Sequence, residues 1–458
     1  MVSEFMIKRI GIPLAERLRG WPVRKYLNEL DKSQWWSPAE IKELQDSKLR
    51  NLIHHAYDTV PYYRGVFESL RLTPDDVRTA DDLPKLPIIT KEVVRANLDK
   101  MISDRYDRKR LVSMSSSGST GEPFKFYGSQ DEKARKWGFA FRGWRWAGFE
   151  MGDRYVSITG RPHRAFKDRG KFLLRLEEKF SGMLALGALD IYQGNVDEFR
   201  KRILDFHTKM LRGYASTLYY LAQELTRRDL SVKVDCVSTT GDTLFDFQRE
   251  AMESCFGCRV YDEYGGEGMV MANQCGQGQT YHVNAEGLIM EIVEEDGNKC
   301  PNGTPGQVVL TDLNRYSMPF IRYNIADVAS LSDEVCECGR GLPVLSSLVG
   351  RLIDIGVTPS GKSIIVNFFS MMFRHLIPHV NGFQIVQEEP GLLVLNIVPG
   401  EDFEGVRSQI LDKTQAYVGS DVEVRIVLVD RIPTTAAGKK RLFISRCGVK
   451  VAGSRSHG

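Results

Sequence analysis

The pattern of apolar and polar residues divides the chain into a helical beginning, a mixed middle part and a small final unit. The first hundred residues follow a helical pattern, in which residues 38–57 predict a helix with Ser37 as its N-cap. Short apolar strands then alternate with helices, which is typical of α/β layers in which helices cover sheets. The predicted elements of this middle part are the strands 124–127 and 154–159 and the helices 130–148, 196–206, 219–228 and 241–255.

The pattern changes at about residue 352. The rest of the chain predicts strands at 383–387, 392–398 and 422–429, with a helix at 403–418. A unit of this length is a plausible size for a compact α+β domain. We therefore expect two domains of unequal size. They are a large N-terminal α/β domain of sheets covered by helices, residues 1–350, and a small α+β C-terminal domain, residues 351–458.

Length and charge narrow the class of protein. A chain of 458 residues is too long for one ordinary core, which agrees with two domains. Its 62 basic and 59 acidic side chains give a formal net charge of +3, so we expect neither nucleic-acid binding nor membrane adhesion. No apolar run is long enough to span a membrane, and residues 1–18 lack the features of a signal peptide. These observations predict a cytoplasmic protein.

The first chemical candidate is a loop of small hydroxylated residues and glycines. It reads Ser115-Ser116-Ser117-Gly118-Ser119-Thr120-Gly121-Glu122-Pro123 and lies between an apolar stretch and a predicted strand. Such a loop lets backbone N–H groups approach a phosphate, and its hydroxyls add donors without bulk. It is not a Walker A sequence, because no Gly-Lys-Ser/Thr follows. A flexible surface loop has the same composition, so both interpretations stay open.

Two further motifs carry a carboxylate after a predicted strand. Tyr264-Gly265-Gly266-Glu267 follows a strand that we expect to end at Asp262, and its Glu267 could hold Mg²⁺ beside phosphate oxygens or belong to an ordinary solvated turn. Asp327, at the end of the sequence that starts at Arg322, could accept hydrogen bonds from a ribose diol or cap a turn.

The last motif, residues 433–441, places a lysine after a glycine. Gly438-Lys439-Lys440-Arg441 could present Lys439 to a polyanion, but an exposed basic turn has the same residues.

In their order and spacing these motifs resemble the adenylate-forming superfamily of acyl-CoA ligases, peptide-synthetase adenylation domains and luciferases. They are most similar to the phenylacetate–CoA ligase family, including its branch found with capsule-biosynthesis genes. The resemblance extends over nearly the whole chain from about residue 35. It rests on the segments 116–123, Arg212-Gly213-Tyr214-Ala215-Ser216, Pro319-Phe320-Ile321-Arg322-Tyr323 through Asp327, Gly350-Arg351, and Pro433 through Lys439.

The resemblance implies an enzyme that activates a small carboxylic acid, aryl or other, with ATP and passes it to coenzyme A. Lys439, on a mobile C-terminal domain, and Mg²⁺ held by Glu267 would neutralise charge as an acyl-adenylate forms and pyrophosphate leaves. The implied nucleotide contacts are Ser116, Ser117, Gly118, Ser119, Thr120 and Gly121 for phosphates, Gly241, Asp242, Tyr264 and Gly265 around the adenine, Asp327 for the ribose, and Arg351 for ribose or phosphate. The hinge would lie at 352–354, and a homodimer is common in such proteins.

Two departures from the family pattern bear on these assignments. Glu267 comes three residues after Tyr264, where the family usually places its Glu four residues after the Tyr. Ile353 stands where the family hinge commonly has a charged residue, with Asp354 beside it. The first departure bears on the magnesium ligand and the second on the position of the hinge.

The cysteines suggest a metal site. Cys275, His282, Cys336 and Cys338 offer the thiolate and imidazole ligands of a structural Zn²⁺. Several members of the phenylacetate–CoA ligase family look similar at these four positions, and this resemblance favours the set. A rival set pairs Cys336 and Cys338 with Cys255-x-x-Cys258, which is the better chelate on spacing alone. However, packing in the core would equally explain Cys255 and Cys258.

The acyl group and its acceptor are the least determined features. By position in the family, residues 157–163 and 213–219 are candidates for the acyl pocket, whereas the helical spacing of Trp137, Phe141 and Trp144 predicts core positions. An amine, a hydroxyl or a carrier protein could replace coenzyme A as acceptor. A protein that kept the fold and lost the chemistry is a third alternative.

Overall fold

The computed structural model describes most of the chain. The described residues are 6–116, 124–159, 182–191, 195–276, 280–351, 355–360, 362–365, 368–369, 372–373, 376, 379–434 and 440–447.

Helices dominate the first hundred residues, as the sequence predicts. The predicted helix at 38–57 is Pro38–Thr59, and Ser37 caps it through a capping box with Glu40. The α-helices are Ile12–Arg19, Val23–Ser33, Pro38–Thr59, Pro61–Leu70, Lys91–Ala96, Gln130–Trp146, Ala188–Ile191, Val196–Asp205, Ala215–Arg227, Asp246–Phe256 and Phe403–Val418. A π-helical segment, Ile7–Gly11, precedes them, and short 3₁₀ helices lie at Pro74–Asp76, Ala80–Lys85 and Arg108–Arg110.

An eleven-stranded sheet forms the centre of the molecule, in the order β10-β11-β12-β13-β9-β8-β7-β6-β5-β3-β4. Its strands are β3 Tyr155–Thr159, β4 Met183–Gly187, β5 Met210–Gly213, β6 Cys236–Thr240, β7 Val260–Gly266, β8 Met269–Gln274, β9 Tyr281–Val283, β10 Leu288–Val293, β11 Gly306–Asp312, β12 Tyr323–Ser332 and β13 Val344–Arg351. From β4 to β7 neighbouring strands are parallel, and the other pairings are antiparallel. Ligands of open α/β sheets bind outside the carboxyl ends of parallel strands, so a ligand site is expected at these ends.

Helices cover both faces of the parallel strands. The helices Val196–Asp205, Ala215–Arg227 and Asp246–Phe256 share one apolar core with one face. The helix Gln130–Trp146 covers the other face, where Trp144 is buried against Tyr155 and Phe149, and Trp137 and Phe141 pack beside them. The predicted core positions on this helix are therefore confirmed.

Two predicted boundaries are wrong. The strand expected to end at Asp262 continues to Gly266, so Tyr264 and Gly265 lie within β7 rather than in a turn after it. The cause is β8, which pairs antiparallel with β7 and extends the hydrogen-bonded ladder past the point where the apolar pattern stops. The helix predicted from residue 241 begins at Asp246, after a turn.

The final unit has the predicted α+β composition. It contains a four-stranded sheet in the order β18-β17-β16-β19, with the helix at the predicted bounds, Phe403–Val418. Its strands are β16 Val380–Glu389, β17 Leu392–Pro399, β18 Glu423–Leu428 and β19 Phe443–Ser445. Two small hairpins complete the sheets: β1 Val112–Ser116 with β2 Phe124–Gly128, and β14 Ile355–Val357 with β15 Ser363–Ile365. Phe245 and Phe247 pack into the apolar core of the final unit and join it to the central sheet.

None of the helices within the described part of the chain is both long and apolar enough to cross a bilayer.

Candidate functional site

Tyr264 and Asp327 are in contact near the carboxyl ends of the parallel strands. Tyr264 is near the end of β7, and its hydroxyl donates to the Oδ2 atom of Asp327 at 2.8 Å. Both residues are buried. Asp327 lies in β12 directly opposite Arg351 of β13. The fold thus brings together three residues that the sequence places 63 and 24 positions apart.

Glu267 occupies the turn between β7 and β8 and is buried, with 4% of its surface exposed. Its φ of +47° is in the left-handed region, and Gly268 follows with φ +82°. Lys91 Nζ lies 2.9 Å from Oε1 of this carboxylate, and Arg315 donates to the Glu267 carbonyl oxygen at 2.7 Å. Oε2 has no hydrogen-bond partner among the described residues. A buried carboxylate oxygen that is left open fits a metal ligand better than the solvated turn that the motif alone allows.

Sequence reasoning missed Lys91 and Arg315. Lys91 begins a short helix capped by Thr90, and its spacing from Glu267 carries no motif. Only the packing of that helix beside the β7–β8 turn brings the two charges together.

Asp242 binds the start of a helix. Its carboxylate accepts the backbone N–H groups of Ala215 at 2.7 Å and Ser216 at 3.3 Å, and the Ser216 hydroxyl at 2.5 Å. These contacts satisfy free donors at the N-terminus of the helix Ala215–Arg227. Gly241, with φ +82°, turns the chain so that Asp242 can reach that helix.

The final unit touches the large one beside this helix. The backbone N–H of Lys440 donates to Ser216 Oγ at 3.4 Å, and Lys440 Nζ lies 4.8 Å from the centre of the Tyr220 ring. Burial lowers the pKa of Lys440 to about 8. Thr434 and Lys440 form an antiparallel bridge, so Thr434 also lies near Ser216.

Several predicted residues fall outside the described part of the chain. They are Lys439, the loop residues Ser117, Gly118, Ser119, Thr120 and Gly121, the hinge 352–354, and residues 160–163 of the proposed acyl pocket. The backbone of Ser116 is described, since it ends β1 opposite Phe124 of β2.

The four predicted metal ligands form one cluster. Cys275 follows β8, His282 lies in β9, and Cys336 and Cys338 belong to the connection between β12 and β13. Their ligand atoms all lie within 4.8 Å of one another. Cys275 Sγ is 3.6 Å from Cys336 Sγ, and Cys338 Sγ is 3.3 Å from His282 Nε2. Three thiols and an imidazole at these separations fit a tetrahedral zinc, and among the described residues the rival Cys255 and Cys258 do not join this group.

The connection that carries Cys336 and Cys338 also contacts the segment that follows the helix Val23–Ser33. Gly341 donates its N–H to the Gln34 carbonyl at 3.1 Å, and Arg340 donates to the Gln34 side chain at 2.9 Å. The Arg340 guanidinium lies between Trp35 and Trp146, at 5.0 and 4.4 Å from the ring centres. A metal that fixes the cysteine cluster would therefore also fix the contacts of Arg340 and Gly341 with the N-terminal helices.

Asp262, a buried carboxyl two residues before Tyr264 in β7, makes the free energy of unfolding depend on pH. Burial raises the pKa of Asp262 to about 6, although the hydroxyls of Thr239 and Tyr281 donate to it. The folded chain thus holds a proton between about pH 4 and 6 that the unfolded chain releases, so stability falls as pH rises through this window. We expect Asp262→Asn to lack this decline and to gain about 2–3 kcal/mol relative to the parent chain from pH 4 to 6.5. Thermal unfolding at several pH values checks this, and parallel curves for the two proteins would contradict it.

The chain is similar to known proteins over most of its length. It is 24% identical to protein CapK of Staphylococcus aureus over 415 residues, which cover 89% of each chain. It is 26% identical to the phenylacetate-coenzyme A ligase of Escherichia coli over 446 residues, or 91% of this chain and 97% of the relative. The family described as the CapK C-terminal domain matches residues 357–446.

A solved structure decides the fold. The structure of a 2-hydroxyisobutyryl-CoA ligase in its postadenylation state superposes with a TM-score of 0.73, at 18% identity, over 91% of both chains. This is the adenylate-forming ligase fold. The expected resemblance to the phenylacetate–CoA ligase family, including its capsule-biosynthesis branch, is confirmed, and so is the expected α/β fold with a small C-terminal unit. Against the same ligase in its thioesterification state, the adenylate-forming fold of this chain superposes with a TM-score of only 0.57.

Proposed function

We propose that this chain uses ATP to convert a carboxylic acid into an acyl-adenylate and then transfers the acyl group to coenzyme A. The observation that carries the proposal is the contact of Lys440 with Ser216. It brings Thr434 and Lys440, the described residues on either side of 435–439, to the sheet edge where Gly241, Asp242 and Tyr264 lie. Relatives named phenylacetate-coenzyme A ligase, alignable over 88% and 91% of this chain, support it.

The first half-reaction must bring two anions together. A carboxylate oxygen attacks the α-phosphorus of ATP, the bond from that phosphorus to the bridging oxygen breaks, and pyrophosphate leaves. Cationic groups must offset the repulsion, and they act strongly where water is excluded. We assign this task to Lys439 and to Glu267, whose open Oε2 would hold Mg²⁺. Lys91, already paired with Oε1, would hold Glu267 in place.

Residues 116–121 would bind the leaving phosphates, with the adenine between Gly241-Asp242 and Tyr264-Gly265. Asp327 would hold the ribose hydroxyls, and Arg351 would lie beside the ribose or phosphate. Tyr264 would orient Asp327 for this contact by donating its hydroxyl to Oδ2.

Asp327→Ala is therefore expected to raise the KM for ATP by about 10- to 100-fold, because charge-assisted hydrogen bonds to the ribose are lost. Tyr264→Phe, which removes only the orienting bond, should raise it less than tenfold. Initial rates over a range of ATP concentrations measure both values. Equal KM values for Asp327→Ala and the parent chain would remove Asp327 from the nucleotide site.

In the second half-reaction a thiol attacks the acyl carbonyl carbon, the bond to the AMP oxygen breaks, and the thiol proton passes to solvent. The small C-terminal domain, 351–458, would rotate about 352–354 to replace Lys439 by the thiol site. The better superposition on a postadenylation state than on a thioesterification state supports an arrangement that belongs to the first step.

A second candidate function differs only in the acceptor. The similarity to CapK, and the match of residues 357–446 to its C-terminal domain family, favour an amine, hydroxyl or carrier protein in place of coenzyme A. Product analysis with and without coenzyme A separates the two, since only an acyl-CoA ligase gives a thioester with free coenzyme A. ATP–pyrophosphate exchange across a panel of acids tests the activation step itself, and absence of exchange with every acid would overturn both candidates.

We assign a structural Zn²⁺ to Cys275, His282, Cys336 and Cys338. The metal would order the connection between β12 and β13 and take no part in either half-reaction, because Cys275 follows the end of β8 opposite to the Glu267 turn.

A further inference from the structure

A band of polar side chains crosses the parallel part of the sheet near its carboxyl ends. Paired residues on neighbouring strands point to the same face, as do residues two apart on one strand. The register places Ser157, Arg212, Ser238, Thr240 and Glu263 together on one face of β3, β5, β6 and β7. Thr240 and Glu263 directly precede Gly241 and Tyr264, so the band borders the proposed nucleotide site.

The helix Gln130–Trp146 lies over this band. The Arg212 guanidinium is 5.4 Å from the centre of the Trp144 ring. Toward the amino ends of the strands the same face is apolar, with Met210 and Cys236 fully buried. The covered face therefore changes from apolar to charged as it approaches the site, where packing alone would favour apolar residues throughout.

Two polar atoms of the charged groups in the band have no hydrogen-bond partner among the described residues. Arg212 Nη2 lies 2.9 Å from Glu263 Oε1, and Thr240 donates to the same oxygen at 3.0 Å. Glu263 Oε2 and Arg212 Nε are buried and have no hydrogen-bond partner among the described residues. Glu263 is only 3% exposed, so water does not readily serve this oxygen. A buried acceptor beside a buried donor, both open, indicates a bound group that is itself both donor and acceptor.

Lys136 adds a second cation. It faces Glu263 and Arg212 from the covering helix, and burial lowers its pKa. It also lines a cavity with Gly268 and Arg315, beside the Glu267 turn. The groups around the open atoms thus comprise two cations and one anion.

We infer that the acid activated at this site carries a hydroxyl group, bound by Glu263 and Arg212, rather than a plain aryl or alkyl chain. This rests on the proposed function and names its substrate class. A hydroxyl can donate to Glu263 and accept from Arg212 without charge. An ammonium group would face two cations, Arg212 and Lys136, and a second carboxylate would face Glu263, so neither complements the band.

The test measures ATP–pyrophosphate exchange with matched pairs of acids that differ by one hydroxyl. The pairs are propionate and lactate, butyrate and 3-hydroxybutyrate, and phenylacetate and mandelate, with alanine and succinate for the charged alternatives. A site built to bind a hydroxyl strongly rejects the analogue that lacks it. We expect at least one hydroxy acid to exceed its partner by about 100-fold in kcat/KM.

The double variant Arg212→Met with Glu263→Leu separates recognition from folding. Replacing both members of a buried pair by apolar residues of similar size is far less disruptive than removing one. We expect the ratio within the preferred pair to fall to within about threefold of unity, with the thermal midpoint close to that of the parent chain. Arg145→Met with Asp31→Leu, an ion pair between the covering helix and the helix Val23–Ser33, serves as the matched control and should keep the ratio.

Three results would overturn the inference while activation stands: equal rates within every pair, preference for alanine or succinate, or a preference that survives in the double variant. Absence of exchange with every acid would instead remove the proposed function.

Discussion

Replacing Lys439 by alanine is expected to lower the rate of acyl-adenylate formation by about a thousandfold, the largest effect on activity that we anticipate for any single substitution. Without Lys439, the attacking carboxylate meets the phosphates with one neutralising cation fewer. Loss of one positioned electrostatic group in a water-excluded site costs on the order of 10²–10³ in kcat, and a thousandfold corresponds to about 4 kcal/mol of barrier. ATP–pyrophosphate exchange, with the acid identified by the panel, measures the effect.

The same variant should spare the second step. Supplied with preformed acyl-adenylate and coenzyme A, Lys439→Ala is expected to form thioester within about fivefold of the parent rate, because the lysine has left the site by then. If both steps fall equally, the lysine is needed for folding or docking rather than for adenylation.

Lys440 provides the matched control. It is the neighbouring lysine, but its ammonium lies over Tyr220, and its backbone N–H donates to Ser216. Lys440→Ala keeps that backbone contact, so we expect less than a tenfold loss of adenylation. A thousandfold loss in Lys440→Ala with an active Lys439→Ala would exchange the two assignments.

The purified chain is expected to hold one zinc per molecule, and loss of that zinc should produce the largest fall in stability. Binding to the folded state alone stabilises it, and structural zinc sites contribute many kcal/mol. Cys338→Ser removes one ligand and frees the connection that holds Gln34 through Gly341 and Arg340. We expect a zinc content well below one equivalent and a thermal midpoint lower by about 10 °C or more.

Cys258→Ser is the control for this experiment. It removes a half-buried thiol of the rival ligand pair that lies outside the cluster, so it should keep one zinc and a midpoint close to that of the parent chain. Zinc well below one equivalent in the parent chain would contradict the assignment, and zinc lost in Cys258→Ser would favour the rival set, which shares Cys336 and Cys338 with the assigned one.

Local patterns predicted the separate elements well. The helix Phe403–Val418 was predicted at its observed bounds, and the capping boxes at Ser37 and Ser129 open the expected helices. These features depend on residues within one or two turns of each other, so neighbouring side chains are enough to specify them. The end of β7 was missed because β8 sets it, and β-ladders depend on the partner strand.

The ligand set of the metal cluster could not be chosen from spacing along the sequence alone. Its ligands come from the end of β8, from β9 and from a connection 61 residues beyond Cys275, and two sets of four were open on spacing. The antiparallel pairing of β9 with β8 and β13 brings His282 beside Cys338 and leaves Cys255 and Cys258 elsewhere. Spacing along the chain therefore could not select the ligand set, because the pairing of distant strands decides which side chains lie close together.

By itself the sequence determined the order of the elements, the two-part organisation and the set of motifs that resembles the adenylate-forming enzymes, because each depends on short segments. Only the tertiary structure decided which polar and charged groups face each other: Lys91 and Glu267, Tyr264 and Asp327, and Arg212 and Glu263. Coulombic and hydrogen-bond energies depend on separations of a few ångströms and on burial, and the packing of distant segments sets both. The pairing of Arg212 with Glu263 therefore follows from the register of the sheet and could not be predicted from the sequence.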